Sequence, residues 1–362
     1  MLSPRAVVRS IPQYHPPLAG RDGLRLDFNE NTVGCSPCVL ARLRQLTADD
    51  LARYPEREAV EARVAEFLGI LPSELLLTNG VDEAIHLLCQ TYLDPGDEAL
   101  IVVPTYSMYR IYMAAAGANV VSVSSRSNFE FPVTELLSQI SSRTRLTAIA
   151  NPNNPTGSVA QREDLLQIAR SAPNAGVLID EAYFEFYGQT LLDQCRELPN
   201  LFVTRTFSKG YGLAGLRVGV LAGNSDQVHL LRRVCSPYNV NAAALACLPE
   251  ALADQSYIQQ YVREVLEGRT RLESLLASSG IQFWPSQANF VLARVGSTQQ
   301  DSAAFAEQMR TRGILVRDRS NDPGCAGCVR ITLGSLEQTD RLLTALQEVL
   351  QRLPLAQGGL RA

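Results

Sequence analysis

Lys209 lies in the stretch R-T-F-S-K-G-Y-G-L-A-G-L-R-V-G, running from Arg205 to Gly219. Its company is Phe207, Tyr211, Leu213 and Leu216 rather than other charged groups. Such a lysine is either a loop residue pointing to water beside a glycine-rich turn or an amine held for chemistry. A lysine amine can form a Schiff base with a carbonyl compound. Thr206 and Ser208 add hydroxyls, Arg217 leads the next apolar segment, and Gly210 and Gly212 let the chain approach a ligand closely.

Three more polar groups follow short apolar runs. Leu75–Thr78 enters N-G-V-D-E-A-I, a turn at Gly80 that feeds a helix. Free N–H groups at a helix N-terminus bind phosphate, although Asp82 and Glu83 in a first turn equally describe an ordinary capped helix, the stronger reading of that piece alone. Leu146–Ala150 ends in N-P-N-N-P-T-G, which brings the amides of Asn153 and Asn154 to a strand end. Its two prolines enforce an irregular loop, and an asparagine-rich turn is the plainer alternative. Val177–Ile179 runs straight into Asp180, and a carboxylate at the end of a buried strand is costly unless a cation or proton donor meets it. Capping of the next turn is its structural alternative. Glu181 is expected to turn to solvent, and Tyr183 to present its phenol on the side of Asp180.

The elements that position these groups alternate between strand and helix. Candidate strands are Leu75–Thr78, Ala99–Val103, Val120–Val123, Leu146–Ala150, Gly176–Ile179, Leu201–Thr204 and Val218–Ala222, separated by helical stretches such as Asp82–Tyr92, Tyr106–Ala116, Val133–Ser141 and Gln161–Ser171. This alternation predicts an α/β fold in three layers, a mostly parallel seven-stranded sheet covered on both faces. Ligands bind such sheets outside the carboxyl ends of the strands, where the polar groups fall. Beyond it, Asn241–Ser279 reads as one long helical stretch. Strands near Asn289–Arg294 and Val329–Leu333, a helix around Ser302–Arg312 and a last helix at Leu336–Leu353 then predict a smaller α+β domain. The expected division is a large domain over 46–240, with 1–45 as an extended proline-bearing arm that joins 241–362 in the small domain.

Length and composition set the class. The chain has 362 residues, 46% hydrophobic and 19% charged, enough apolar content for a substantial core and about two domains. A net charge of -4 without a basic block gives no electrostatic footprint for nucleic acid. Neither a signal-peptide pattern nor a membrane-length apolar run is present, so a cytoplasmic protein is expected. Among the eight cysteines, two pairs have C-x-x-C spacing, Cys35–Cys38 and Cys325–Cys328. They stand almost the whole chain apart, unlike the ligand pairs of a zinc ribbon, and no metal is expected.

A lysine amine together with an aspartate able to keep a pyridine nitrogen protonated is the pattern that pyridoxal phosphate requires. In order and spacing, N-P-N-N-P-T-G, D-E-A-Y and S-K-G-Y-G-L-A-G-L-R-V-G resemble the fold type I pyridoxal-phosphate aminotransferases, whose large domain is aspartate-aminotransferase-like. L-D-F-N-E-N at Leu26–Asn31, R-Y-P-E at Arg53–Glu56, P-T-Y-S-M-Y at Pro104–Tyr109 and C-V-R-I-T-L-G at Cys328–Gly334 resemble the histidinol-phosphate aminotransferase branch. The resemblance implies that Lys209 holds the cofactor aldehyde and moves the substrate proton, and that Asp180 pairs with the ring nitrogen. It implies Asn154 and Tyr183 at the phenolic oxygen and Tyr106 stacked on the ring. The phosphate falls to the backbone at Val81 and Asp82, to Thr206 and Ser208, and to Arg217. Tyr54 would reach the phosphate of a partner subunit, which implies a homodimer with active sites at the subunit interface. Arg330 would clamp the substrate's anionic end, in a pocket completed by Arg317, Asn29 and Tyr14. The implied reaction passes the amino group of L-histidinol phosphate to 2-oxoglutarate.

Within the same resemblance, other L-amino-acid aminotransferases, aromatic ones included, and threonine-phosphate decarboxylases stay open as alternatives. A transcription regulator with an aminotransferase-like domain would need a DNA-reading module ahead of Asn29, for which 28 residues are too few. The segment N-E-N-T-V-G-C-S-P-C departs from the family pattern N-E-N-P-x-G-P-S-P by two lost prolines and by Cys35 and Cys38, which bears on the substrate lid and leaves the cofactor set untouched.

Overall fold

The computed structural model describes residues 2–13, 20 and 22–352. Among the described residues, twelve strands form two sheets: β1 Leu24–Leu26, β2 Leu75–Thr78, β3 Glu98–Val103, β4 Asn119–Ser124, β5 Thr144–Ala150, β6 Gly176–Asp180, β7 Leu201–Thr206, β8 Gly219–Gly223, β9 Gln282–Trp284, β10 Phe290–Arg294, β11 Ile314–Asp318 and β12 Cys328–Thr332. The seven-stranded sheet has the order β2-β8-β7-β6-β5-β3-β4. Only β8 runs against the rest, paired antiparallel with both β2 and β7.

Burial on both faces explains why these strands read as continuous apolar runs. Along β6, Val177 and Ile179 pack into the apolar cluster on one face and Leu178 into the cluster on the other. Consecutive side chains of a strand point to opposite faces, so the sheet is the middle of three layers. Two helices outside the 46–240 span, Pro37–Arg44 and Ala242–Ala253, contribute Val39, Leu245 and Leu248 to the first of those clusters. The chain passes from β3 outward to β4, then back to β5 on the other side of β3, which puts a change of winding direction between β3 and β5. Ligands of open α/β sheets bind at such a point.

The five-stranded sheet has the order β1-β11-β12-β10-β9. Its core holds Phe290, Ile331, Ile314 and Leu26 beneath Leu272 and Leu276 of the helix Gln255–Ser278 and Leu342 and Leu346 of the helix Leu336–Arg352.

Several expectations need correction. The first 45 residues are more than an extended arm, since Leu24–Leu26 pairs in parallel with β11 and Pro37–Arg44 is a helix. Three strands of the small sheet, β1, β9 and β11, escaped the sequence reading. The stretch Asn241–Ser279 is two helices, broken at Asp254, whose side chain caps the second by accepting from Tyr257 N at 3.3 Å. Glu181 is buried rather than solvent-facing.

Candidate active site

Asp180 ends β6 and Lys209 follows the end of the neighbouring parallel strand β7, so the sheet delivers both to one edge. Asp180 is buried, and three donors hold its carboxylate. Tyr109 donates to Oδ2 at 2.5 Å, while Thr204 Oγ1 and Ala182 N donate to Oδ1, each at 3.1 Å. Burial raises its pKa, and the hydrogen bonds from Tyr109 and Thr204 pull the other way. Thr204 sits opposite Asp180 in the β6–β7 register, which explains its reach.

The Lys209 amine donates to Phe28 O at 3.1 Å. Burial, with Arg330 and Arg217 nearby, lowers its pKa to about 8, so the neutral amine is accessible near neutral pH.

A second group surrounds the N-terminus of the helix Val81–Tyr92. Arg217 Nη2 donates to Asp82 Oδ2 at 3.2 Å, and the Tyr106 hydroxyl donates to Asp82 Oδ1 at 2.8 Å. A Cβ on Gly80 would stand 2.6 Å from the Arg217 guanidinium, so the glycine at φ +74° leaves room for that cation at the helix end. Thr206 and Ser208 are buried at the end of β7, and Thr206 Oγ1 accepts from Ser208 N at 3.1 Å. Backbone N–H groups, hydroxyls and a guanidinium thus converge where a phosphate is best held.

Arg330 and Arg317, expected on the substrate side, come from the other sheet. Arg330 is the third residue of β12, stands opposite Arg317 on β11 and is buried. Its Nη1 donates to Asn154 Oδ1 at 2.5 Å and its Nη2 to Asp27 O at 2.7 Å. Burial and the charges of Arg319 and Arg317 push its pKa down. Arg317 lies over the Phe28 ring, 5.2 Å from its centroid.

Asn154 and Tyr183, expected to share one partner, are engaged differently. The carbonyl end of Asn154 is taken by Arg330, and the Tyr183 hydroxyl accepts from Asn29 Nδ2 at 2.8 Å. Asn29 Oδ1 accepts from Thr332 Oγ1 at 3.0 Å, so Asn29 joins β12 to Tyr183. Tyr54 stands apart, 74% exposed and stacked on Tyr238 with ring centroids 4.0 Å apart. Tyr14 lies outside the described residues.

The sequence reading assigned no role to Tyr109, Thr204 or Arg205. Tyr109 was inside P-T-Y-S-M-Y, three residues after Tyr106, a helical spacing that signals a shared face. Arg205 donates to Glu181 at 2.8 Å, an ion pair in which both side chains are buried. Four of the eight cysteines sit in the two C-x-x-C pairs, and all eight are free thiols. No cluster of metal-ligating side chains occurs among the described residues.

The class I and II aminotransferase model matches residues 21–346. The chain is 35% identical over 331 residues to the histidinol-phosphate aminotransferase of Thermoanaerobacter sp. (strain X514), covering 90% of this chain and 93% of that one. It is 37% identical over 298 residues to the enzyme of the same name from Caldanaerobacter subterraneus subsp. tengcongensis, covering 82% and 83%. Among solved structures it is similar to histidinol-phosphate aminotransferase from Sinorhizobium meliloti in complex with pyridoxal-5'-phosphate, with a TM-score of 0.87, 25% identity and coverage of 96% and 97%.

Proposed function

The chain belongs to the class I and II aminotransferases, and from that premise we infer that it is a pyridoxal-phosphate-dependent enzyme that transfers the amino group of L-histidinol phosphate, a step of histidine biosynthesis. We assign 2-oxoglutarate as the acceptor. The observation that carries the reading is the pairing of a buried carboxylate with an amine of lowered pKa at the ends of adjacent parallel strands, Asp180 and Lys209.

The donor set fits the cofactor. The Arg217 guanidinium that Gly80 makes room for, beside the helix N-terminus at Val81 and Asp82 and with the hydroxyls of Thr206 and Ser208, suits its phosphate. Tyr106 is assigned to one ring face, Asn154 and Tyr183 to the phenolic oxygen, and Asp180 to the ring nitrogen. When bound, pyridoxal phosphate supplies an aldehyde that condenses with amines and a protonated ring that accepts an electron pair.

The protein does the rest. Asp180 would hold a proton at the ring nitrogen, because a buried carboxylate that hydrogen bonds keep in its charged form favours a protonated neighbour. Lys209 Nζ would act as the base that takes up the α-proton of the substrate and as the acid that gives it back, a task suited to an amine titrating near working pH. Arg330 and Arg317 bind the anionic end of the substrate, where guanidinium forks match carboxylate and phosphate geometry. Asn29 orients Tyr183 from behind, and Tyr14 belongs to the same pocket in the family pattern.

We read the active unit as a homodimer in which Tyr54 reaches the phosphate bound by the second copy. Support comes from the exposure of Tyr54 at 74% and Tyr238 at 55%, beside Leu51 and Val234, an apolar group poorly suited to water. We place the enzyme in the cytoplasm, on the support of eight free thiols. No helix among the described residues is long and apolar enough to cross a membrane.

The test is the visible absorption of the purified protein before and after adding L-histidinol phosphate without keto acid. Loss of the yellow band, restored by 2-oxoglutarate, is the expected result. A yellow protein unmoved by histidinol phosphate but bleached by aromatic amino acids would reassign the donor. Release of carbon dioxide from threonine phosphate would change the reaction. A protein that cannot be reconstituted with pyridoxal phosphate would overturn the site.

A further inference from the structure

Tyr109 is fully buried on the first turn of the helix Ser107–Ala116, in the apolar cluster that also holds Met113, Ile101, Ala148 and Leu178. Those last three belong to β3, β5 and β6, so the ring reaches beneath the sheet edge from the β3 side toward the end of β6. A hydroxyl in such a place is costly unless it finds a partner, and phenylalanine would fill the same space without that cost. The partner here is Asp180 Oδ2, at 2.5 Å.

The geometry of that carboxylate gives the bond its meaning. An ionised carboxylate has about four acceptor sites, two on each oxygen. Oδ1 takes two donors, Thr204 Oγ1 and Ala182 N, and Oδ2 takes Tyr109, which leaves one site on Oδ2. Tyr109 therefore fixes the oxygen that faces the one further donor. The same ring meets Tyr106 edge-on, with centroids 5.7 Å apart and planes at 86°. One side chain thus braces both Asp180 and Tyr106.

We propose that Tyr109 is the positioning residue of the cofactor site, holding Asp180 ionised and aimed so that its free acceptor site on Oδ2 receives the cofactor's ring N–H. The proposal rests on the reading of Asp180 as the ring-nitrogen partner. Its phenol stays protonated, because burial and the Asp180 charge both raise its pKa. Without the hydroxyl, the carboxylate loses a donor to its charged form, and the proton shared with the ring nitrogen moves toward Asp180.

The decisive variant is Tyr109→Phe, which keeps the ring, its packing and its contact with Tyr106. Apoprotein is titrated with pyridoxal phosphate and with its 1-deaza analogue, in which carbon replaces the ring nitrogen, and affinity is read by equilibrium dialysis. Tyr109→Phe is expected to weaken pyridoxal phosphate about tenfold and to leave the deaza analogue unchanged, since a hydrogen bond to a charged group is at stake. In an Asp180→Asn background, Tyr109→Phe is expected to have no further effect. In the loaded enzyme kcat falls while KM holds. Equal weakening of both cofactors, or full additivity with Asp180→Asn, would overturn the proposal by making Tyr109 a packing residue only. So would an unchanged pyridoxal phosphate affinity in Tyr109→Phe when Asp180→Asn alone weakens it. If Asp180→Asn itself leaves pyridoxal phosphate affinity unchanged, the reading of Asp180 fails and the proposal falls with it.

Discussion

The two sheets meet the site in opposite electrostatic conditions. At the edge of the seven-stranded sheet, charged groups are already answered within the chain. Asp180 has three donors, Arg217 has Asp82, and Arg205 has Glu181. On the five-stranded sheet, Arg317 and Arg330 face each other across β11 and β12, with Arg319 just beyond. Arg319 pairs with Asp322 at 2.5 Å, yet the Nε atoms of Arg319 and Arg330 are buried without a hydrogen-bond partner. Buried polar atoms are normally satisfied. The groups around Asp180 are thus held by contacts within the chain, while the small sheet keeps two buried guanidinium Nε atoms unsatisfied.

The largest expected effect is at Lys209: replacement by alanine is expected to abolish turnover with the fold intact, read by glutamate formation beside circular dichroism. A wild-type rate would remove the amine from the chemistry. Next comes Glu181→Gln on the satisfied side. It removes the carboxylate that Arg205 pairs with directly, leaving only the more weakly ionised Glu185 as a nearby acid, and that carboxylate also accepts from Leu191 N at 2.7 Å and Thr190 Oγ1 at 2.9 Å. Breaking a buried pair costs about 3 kcal/mol, measurable by urea unfolding. A loss below about 1 kcal/mol, the range of exposed pairs, would deny that this side is tightly built.

On the unfinished side, Arg330→Lys is expected to lower kcat/KM for the phosphorylated donor with little change in unfolding stability. A guanidinium–anion contact worth about 1.5–3 kcal/mol corresponds to a fall of about 10- to 100-fold. If stability fell instead, Arg330 would be structural. The smallest effect is in pH dependence. Because the Lys209 pKa lies near 8 and condensation needs the neutral amine, the rate of pyridoxal phosphate uptake by apoprotein should climb from about pH 6 to pH 8 and flatten above. A climb continuing toward the usual lysine range, about pH 10, would mean that burial does not tune the amine.

The difference between the sheets also decided what the sequence could reveal. All seven strands of the large sheet were legible because burial on two faces makes unbroken apolar runs ending in polar loops. β1 and β9 have three residues each, too few to establish a period. β1 also pairs with β11, almost 290 positions away in register, so nothing local marks it. Glu181 misled because it follows the last residue of β6, where a charged side chain ordinarily meets water. The ladder continues one step, as Glu181 N donates to Thr204 O at 2.9 Å, and this brings Arg205 alongside. Only the register exposes that opposite-charge pair. The residues expected to face a ligand were legible from the motifs, whereas Tyr109 and Thr204, which hold Asp180, and Arg205, which pairs with Glu181, were not. Their roles depend on which strands are neighbours.

Three consecutive residues after β1 touch both sides of the site. Asp27 O accepts from Arg330, Phe28 O from Lys209, and the Asn29 amide reaches Tyr183. Because β1 is a strand of the small sheet, this short run works as a tie-rod between the two bodies. A displacement of the small sheet cannot leave the lysine's acceptor where it was, so the position of the Arg330 guanidinium and the environment of the amine are set by one mechanical coordinate. A lesion anywhere along Asp27–Asn29 should therefore disturb substrate binding and the lysine together, and an assay that sees only one of them would misplace the fault.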